Sequence, residues 1–238
     1  MSDSCKWLHE QLGQLPIINF PFRLDQLPKD GIYFFYERGE IWGHGGNKPR
    51  IVRIGTTRDG NFRKRISEHY LFDESKMNFN ASKPAPRERS IFRKHIGSAF
   101  LNQQDDDYLR IWEIDFTSRA KREKFGHLRD IEKEMTVESE VTRILRSGFV
   151  FRFIELDCQT ERLGKRGLES YLIGTVAHCS LCKPSMNWLG KYSPKPQIRE
   201  SGLWLIQHLK ADGINEEHKR IIVKAIEKTK TRTNEPES

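Results

Sequence analysis

Two apolar runs constrain the fold most. Gly31-Ile32-Tyr33-Phe34-Phe35-Tyr36 and Ile51-Val52-Arg53-Ile54-Gly55 are rich in β-branched and aromatic residues and are bounded by Gly- and Pro-bearing segments. Both therefore read as strands, and as antiparallel neighbours. The connection between them is long: Ile41-Trp42 reads as a third short strand, and Gly43 to Pro49 as a turn-rich tip. Neighbouring side chains of a strand face opposite ways. With Ile32, Phe34 and Tyr36 on the core side, Tyr33 is expected to point out of the core. With Val52 and Ile54 buried, Arg53 is expected beside it on the same surface.

Helical spacing dominates the rest. After Gly60, Phe62, Ile66 and Tyr70 recur four apart, and Ile91, Phe92, His95, Ile96, Ala99 and Phe100 mark a second helix. A short N-terminal helix (Trp7, Leu8, Leu12, Leu15) and helices from Thr160 to about His178, Ile198 to Leu209 and Glu216 to Thr229 are also predicted, with a polar tail beyond Lys230. Tyr108 to Phe116 alternates with a period of two and reads as a strand, as does Phe149 to Ile154. Ser118 to Leu145 is highly charged with sparse apolar positions, the pattern of solvated helices or of an oligomerisation arm. Together these elements predict one mixed α/β domain of the α+β type, with a small, mainly antiparallel sheet flanked by helices.

Charge and cysteine usage bound the setting. The 238 residues carry 41 Lys+Arg against 33 Asp+Glu, a net +8, which favours a polyanionic partner. Four cysteines are too few for a disulfide-stapled scaffold, and no leader pattern precedes the first charges, so a reducing, cytoplasmic setting is expected. The longest apolar runs fall far short of the ~20 residues of a membrane-spanning helix, and no membrane partner is expected.

Chemistry-bearing residues are few. Arg65 and His69 are four apart on one helical face, where a guanidinium fork and an imidazole could meet one phosphate. Glu169 heads the apolar stripe Leu172, Ile173, Val176, so its carboxylate needs a cationic partner such as Arg166 or Lys165, or a metal. Cys179-Ser180-Leu181-Cys182, beside His178, has the spacing of a metal knuckle. It lacks a second pair, because Cys5 and Cys158 stand alone, and these residues read as ordinary buried cysteines. Arg50, Arg53, Arg58, Arg63, Lys64 and Arg65, then Lys83, Arg87, Arg89, Arg93 and Lys94, form a candidate phosphate-binding track.

Taken in order, Gly31-Ile32-Tyr33, Arg53-Ile54-Gly55, Gly60-x-Phe62-x-x-Arg65-Ile66-x-x-His69, Leu168-Glu169 and Met186-Asn187-Trp188-Leu189-Gly190 resemble the GIY-YIG nuclease superfamily. The resemblance covers about Asp30 to Gly190, with Met77 to about Cys158 unmatched. Two features depart from the family pattern: Arg53 stands where the second signature normally carries Tyr, and the connection from Tyr33 to Arg53 is longer than the usual hairpin.

The resemblance implies a nuclease-like domain over 31–210 with an insertion at about 77–158, an N-terminal extension over 1–30, and a C-terminal helix and polar tail over 211–238. It implies hydrolysis of phosphodiester bonds in double-stranded DNA with Mg²⁺ or Mn²⁺. Tyr33 would take the proton of the attacking water, alone or relayed through His69. Arg65 would bind the scissile phosphate, Glu169 the metal, and Asn187 would fix the tyrosine or backbone geometry. Arg53 is expected to lower the Tyr33 pKa from about 10 and favour phenolate. No separate DNA-reading module is visible, which by analogy suits a type II restriction endonuclease; the alternative, prompted by Arg53, is an inactive nucleic-acid-binding module of the same fold. A two-fold symmetric target further implies a homodimer, with Ser118 to Leu145 as its arm.

Overall fold

A computed structural model describes residues 2–234. The chain enters through helix α1 (Ser2–Leu12) and a two-residue strand β1 (Ile18–Asn19), then forms a hairpin of β2 (Gly31–Ile41) and β3 (Pro49–Thr56). Helices α2 (Phe62–Tyr70), α3 (Ile91–Gln103), α4 (Leu109–Trp112), α5 (Arg119–Phe125) and α6 (Ile131–Gly148) lead to strand β4 (Phe149–Glu155). Then come α7 (Gln159–Arg162), α8 (Leu168–Ala177), α9 (Pro196–Ser201) and α10 (Glu216–Asn234). The four strands pair antiparallel in the order β1-β4-β2-β3, as the α+β reading expects.

Both faces of this sheet are covered. Ile32, Phe34, Tyr36, Ile51 and Ile54 pack on α1, α8 and α10 through Leu8, Leu12, Leu172, Val176, Ile222 and Ile226. Tyr33, Phe35, Val52, Phe151 and Phe153 pack on α2, α3 and α6 through Phe62, Ile66, Phe92, Ile96, Val137, Val141 and Leu145. The uninterrupted apolar run of β2 is the signature of a strand buried on both sides. Tyr33 accordingly points into a second core rather than out to solvent, and only its phenolic end reaches a cleft. The expected alternation of β3 also breaks: Phe35 pairs with Arg53 but Tyr36 with Ile51, so a bulge at Val52 turns that side chain into the second core while Ile54 stays in the first.

Other expectations change in detail. Ile41-Trp42 is not a separate strand: Ile41 ends β2, and the Trp42 N–H donates to the Lys48 carbonyl to close the hairpin. The strand expected over Tyr108 to Phe116 is instead a turn and the short α4, in which the Trp112 and Glu113 N–H groups donate four residues back to the Tyr108 and Leu109 carbonyls in place of a strand ladder. The Trp112 ring lies against Gly97, and its indole N–H donates to the Lys94 carbonyl at 3.0 Å. The helix expected from Thr160 is split into α7 and α8 around Gly164, whose φ is positive. The helix expected over Ile198 to Leu209 stops at Ser201, capped by Gly202 in the left-handed region. The last four residues of the polar tail lie outside the described residues.

The charged segment is not a free arm. Val137, Val141 and Leu145 of α6 are in the second core, and Glu134 and Glu138 point inward beside them. Glu134 pairs with Arg87 at 2.8 Å and Arg129 at 2.6 Å, and Glu138 with Arg93 at 2.7 Å, all with fully buried side chains. The apolar face expected to meet a second subunit is thus spent within the chain, and α6 is not a dimer arm.

Candidate active site

The paired strands and two helices converge on one cleft of about 450 Å³, lined by Tyr33 of β2, Arg53, Gly55 and Thr56 of β3, Arg65 and His69 of α2, and Glu169 of α8, with Glu88, Arg89 and Gln207 at its margin. Register explains part of this. Tyr33 pairs with Gly55, and a Cβ at Gly55 would lie 2.3 Å from the Tyr33 hydroxyl, so only glycine lets the ring cross β3 at this height. The Phe62, Ile66, Tyr70 stripe seats α2 on the sheet and turns His69 inward against Tyr33.

His69 Nε2 lies 3.2 Å from the Tyr33 hydroxyl and Nδ1 lies 2.8 Å from Ser90 Oγ. Ser90 is also the N-cap of α3, accepting from the Arg93 N–H, so a helix cap orients the imidazole. Burial, with Arg53, Arg65 and Arg93 nearby, drives the His69 pKa well below the usual histidine range, and the ring is neutral. Burial also raises the Tyr33 pKa, against the pull of the Arg53 and Arg65 guanidinium groups and with the push of Glu169. Arg53 therefore acts in the expected direction but does not prevail: desolvation outweighs it, and the resting side chain is a phenol.

Arg53 is itself buried, donating to the Trp204 carbonyl and lying 4.7 Å from the centre of the Phe92 ring. Arg65 is more open, bonded to Glu68 at 3.0 Å and the Arg89 carbonyl at 2.6 Å, with its side chain 38% exposed. Glu169 sits in the first turn of α8, and its Oε1 accepts the Thr56 N–H at 3.2 Å. Burial raises its pKa, while Thr56, Arg53 and Arg162 pull it down. Arg53 and Arg162, rather than Lys165 or Arg166, are the cations that share its surroundings; Arg162 is fully buried and ties Thr57 and Asp30 together at 2.7 and 3.1 Å. A partly satisfied carboxylate with a single oxygen bond suits a hard divalent cation, which keeps most of its waters and needs few protein ligands.

Other predicted residues fall elsewhere. Asn187 is exposed and is not among the described residues lining the cleft; its neighbour Trp188 donates to Glu37, well along β2 from Tyr33. Arg50, Arg87, Arg93 and Lys94 are buried, Arg50 bound to Glu40, Arg87 to Glu134 and Arg93 to Glu138, with Lys94 donating to the Ile114 carbonyl at 3.0 Å, which takes all four out of reach of DNA. Arg63 is half-buried and donates to the Leu27 and Asp25 carbonyls, while Arg58 and Lys64 are exposed. Ser90, Glu88 and Gln207 were not singled out from the sequence. Only Ser90 carried a signal there, as a capping residue directly before a helical run.

Among the described residues no helix is long and apolar enough to cross a membrane. No curated protein and no solved structure matches the chain. A family model described as the GIY-YIG domain matches residues 5–232, taking in the sheet, α2, α8 and the cleft between them. That span covers most of the sequence, and the chain belongs to the GIY-YIG domain family, a family that supports a nuclease-type function.

Proposed function

We propose that the protein is a divalent-cation-dependent endonuclease that hydrolyses phosphodiester bonds of double-stranded DNA, with the sequence selectivity of a type II restriction enzyme. The observation that carries this reading is the convergence of Tyr33, His69, Arg53, Arg65 and Glu169 on one cleft. A phenol, an imidazole, two guanidinium groups and a carboxylate suffice, because phosphoryl transfer is accelerated mostly by positioning and charge stabilisation.

Arg65, the more open cation, receives the scissile phosphate, and Arg53 adds positive charge behind it. Burial first, and these cations after it, keep His69 neutral in the free protein; an anionic phosphate lying against Arg53 and Arg65 offsets their share, and the imidazole becomes more basic when DNA is bound. Tyr33 can then pass its proton to His69 Nε2 as it accepts one from the attacking water, with Ser90 holding the ring in line. Glu169 would hold Mg²⁺ or Mn²⁺, which supplies Lewis-acid stabilisation of the charge growing on the phosphate and leaving oxygen. Arg58, Lys64, Lys83 and Arg89 are exposed cations available to contact the DNA backbone.

Incubating supercoiled plasmid with purified protein and Mg²⁺, with EDTA as control, tests the proposal. Discrete fragments support a site-specific enzyme and a smear supports a nonspecific one. A gel shift without cutting would favour the rival reading, an inactive nucleic-acid-binding module, for which Arg53 in place of the second tyrosine is the motive.

A further inference from the structure

Far from the cleft, at the tip of the β2–β3 hairpin, four soft ligand atoms meet. Cys5 of α1, His44 of the hairpin tip, and Cys179 and Cys182 just past α8 have ligand atoms all within 4.8 Å of one another. Cys5 Sγ is 3.9 Å from Cys182 Sγ, and His44 Nε2 is 3.3 Å from Cys179 Sγ. A zinc ion with bonds of about 2.3 Å to sulfur and about 2.0 Å to nitrogen sets tetrahedral edges of about 3.5 to 3.8 Å. The observed separations bracket these edges, and they are far from the ~2.05 Å of a disulfide. We propose that Cys5, His44, Cys179 and Cys182 form a tetrahedral zinc site of three thiolates and one imidazole.

The surroundings are built for it. The Gly43 N–H points at Cys182 Sγ at 3.5 Å, and the Leu181 and Cys182 N–H groups bear on the Cys179 sulfur, as the backbone of a knuckle does around a thiolate. A Cβ at Gly43 would lie 1.9 Å from the Leu181 carbonyl, so glycine is what lets the hairpin tip press onto the Cys-x-x-Cys loop and deliver His44. His9 stands behind Cys5: Nδ1–H donates to the Cys5 carbonyl at 2.9 Å and Nε2 accepts the Ile51 N–H at 3.1 Å, leaving neither nitrogen for a metal. Two separate elements, α1 and the hairpin tip, thus supply the ligands that the Cys-x-x-Cys pair lacked in sequence; adjacent His178 is exposed and takes no part. Binding displaces protons from the three thiols and changes no oxidation state. The site clamps α1 and the hairpin tip to the C-terminal end of α8, the helix that carries Glu169 in its first turn.

The test is metal content, which does not depend on nuclease activity. Untagged protein purified without chelator and desalted should carry about one zinc per chain by inductively coupled plasma mass spectrometry. Cys158→Ser and Glu169→Gln should retain it, while Cys5→Ser and Cys182→Ser should fall at least tenfold. If those variants fail to fold, cobalt exchanged into the wild-type chain decides: the visible bands of tetrahedral cobalt with sulfur-to-metal charge transfer are expected. A wild-type protein that holds no zinc and takes up no cobalt, or one whose three cysteines prove oxidised to disulfide by mass spectrometry, overturns the site.

Discussion

The Tyr33 hydroxyl lies 3.2 Å from His69 Nε2, and both groups are almost completely shielded from solvent. Because the same imidazole reaches Ser90 at 2.8 Å, a line of three polar groups runs from the cleft to the first turn of α3. Such a line can move a proton without moving a side chain.

Tyr33→Phe should reduce cleavage by about 10²- to 10⁴-fold, the range for losing a general acid–base group. The ring's packing is kept and only a hydrogen bond is lost, so stability should fall by about 1–2 kcal/mol. Ser90→Ala removes both the cap and the Nδ1 partner. It should cost a similar ~1–2 kcal/mol while leaving more residual cleavage than Tyr33→Phe. Single-turnover rates beside thermal melts check both; a fully active Tyr33→Phe would remove the tyrosine from the reaction.

The pH profile follows from the same pair. With His69 held well below the usual range by burial and by Arg53, Arg65 and Arg93, the free enzyme should show no break in kcat/KM at a histidine-like pH near 6.5. With Tyr33 raised by burial, the phenol that the relay needs persists into the alkaline range, so the rate should stay level through neutral pH and fall only where the phenol ionises. A rate that climbs steadily with alkaline pH would show that phenolate, and not the phenol–imidazole pair, takes the proton of the water.

Glu169→Gln keeps the size of the side chain and an oxygen for the Thr56 N–H but removes the charge that a cation needs. DNA binding measured in Ca²⁺ or without metal should change little, while cleavage in Mg²⁺ or Mn²⁺ should be lost. Retained Mg²⁺-dependent cutting would move the metal to other residues, Glu88 being the other carboxylate at the cleft.

Cations that contact DNA should separate from cations that hold the fold. Lys64→Ala should weaken binding across all sequences and lower the salt dependence by about one ion. Arg93→Ala should act on stability instead: it leaves Glu138 buried without its main partner, at about 3–5 kcal/mol. Melting curves and salt titrations of the two variants are expected to show opposite patterns.

The order of motifs made the cleft readable because Gly31 to Tyr33, Arg53 to Gly55, Arg65, His69 and Glu169 each carry their chemistry in local sequence. What could not be read was long-range. Arg93 looked like a DNA contact because nothing in its own segment reveals that Glu138, far along the chain, points inward to meet it. Cys5 looked solitary because its partners at positions 44, 179 and 182 are assembled only by the packing of α1 on α8 and the hairpin. Val52 faced the wrong way because a bulge shifts the register without a glycine to mark it.

Stability should peak near pH 6.5, where two opposed effects meet. His95 is pushed down to about 3 by burial and by Arg53, and His69 is also well lowered, so in the folded chain neither takes a proton at pH 5. The unfolded chain does so below about 6.5, and each histidine then removes about 1.4 kcal/mol per pH unit as the pH falls from there. Glu37 works the other way. Burial lifts it to about 7 even though the Trp188 and Trp204 indoles both donate to it at 2.8 Å. The folded state keeps that proton longer than the unfolded one, so stability is lost as pH rises from about 4.5 to 7. Glu37→Gln retains an acceptor for the two indoles and removes the buried charge. It should leave the melting temperature nearly unchanged at pH 5 and raise it at pH 8, where about 2–3 kcal/mol is recovered, worth roughly 5 °C or more in a chain of this size. An equal shift at both pH values would show that Glu37 is charged throughout and that the two tryptophans stabilise it fully.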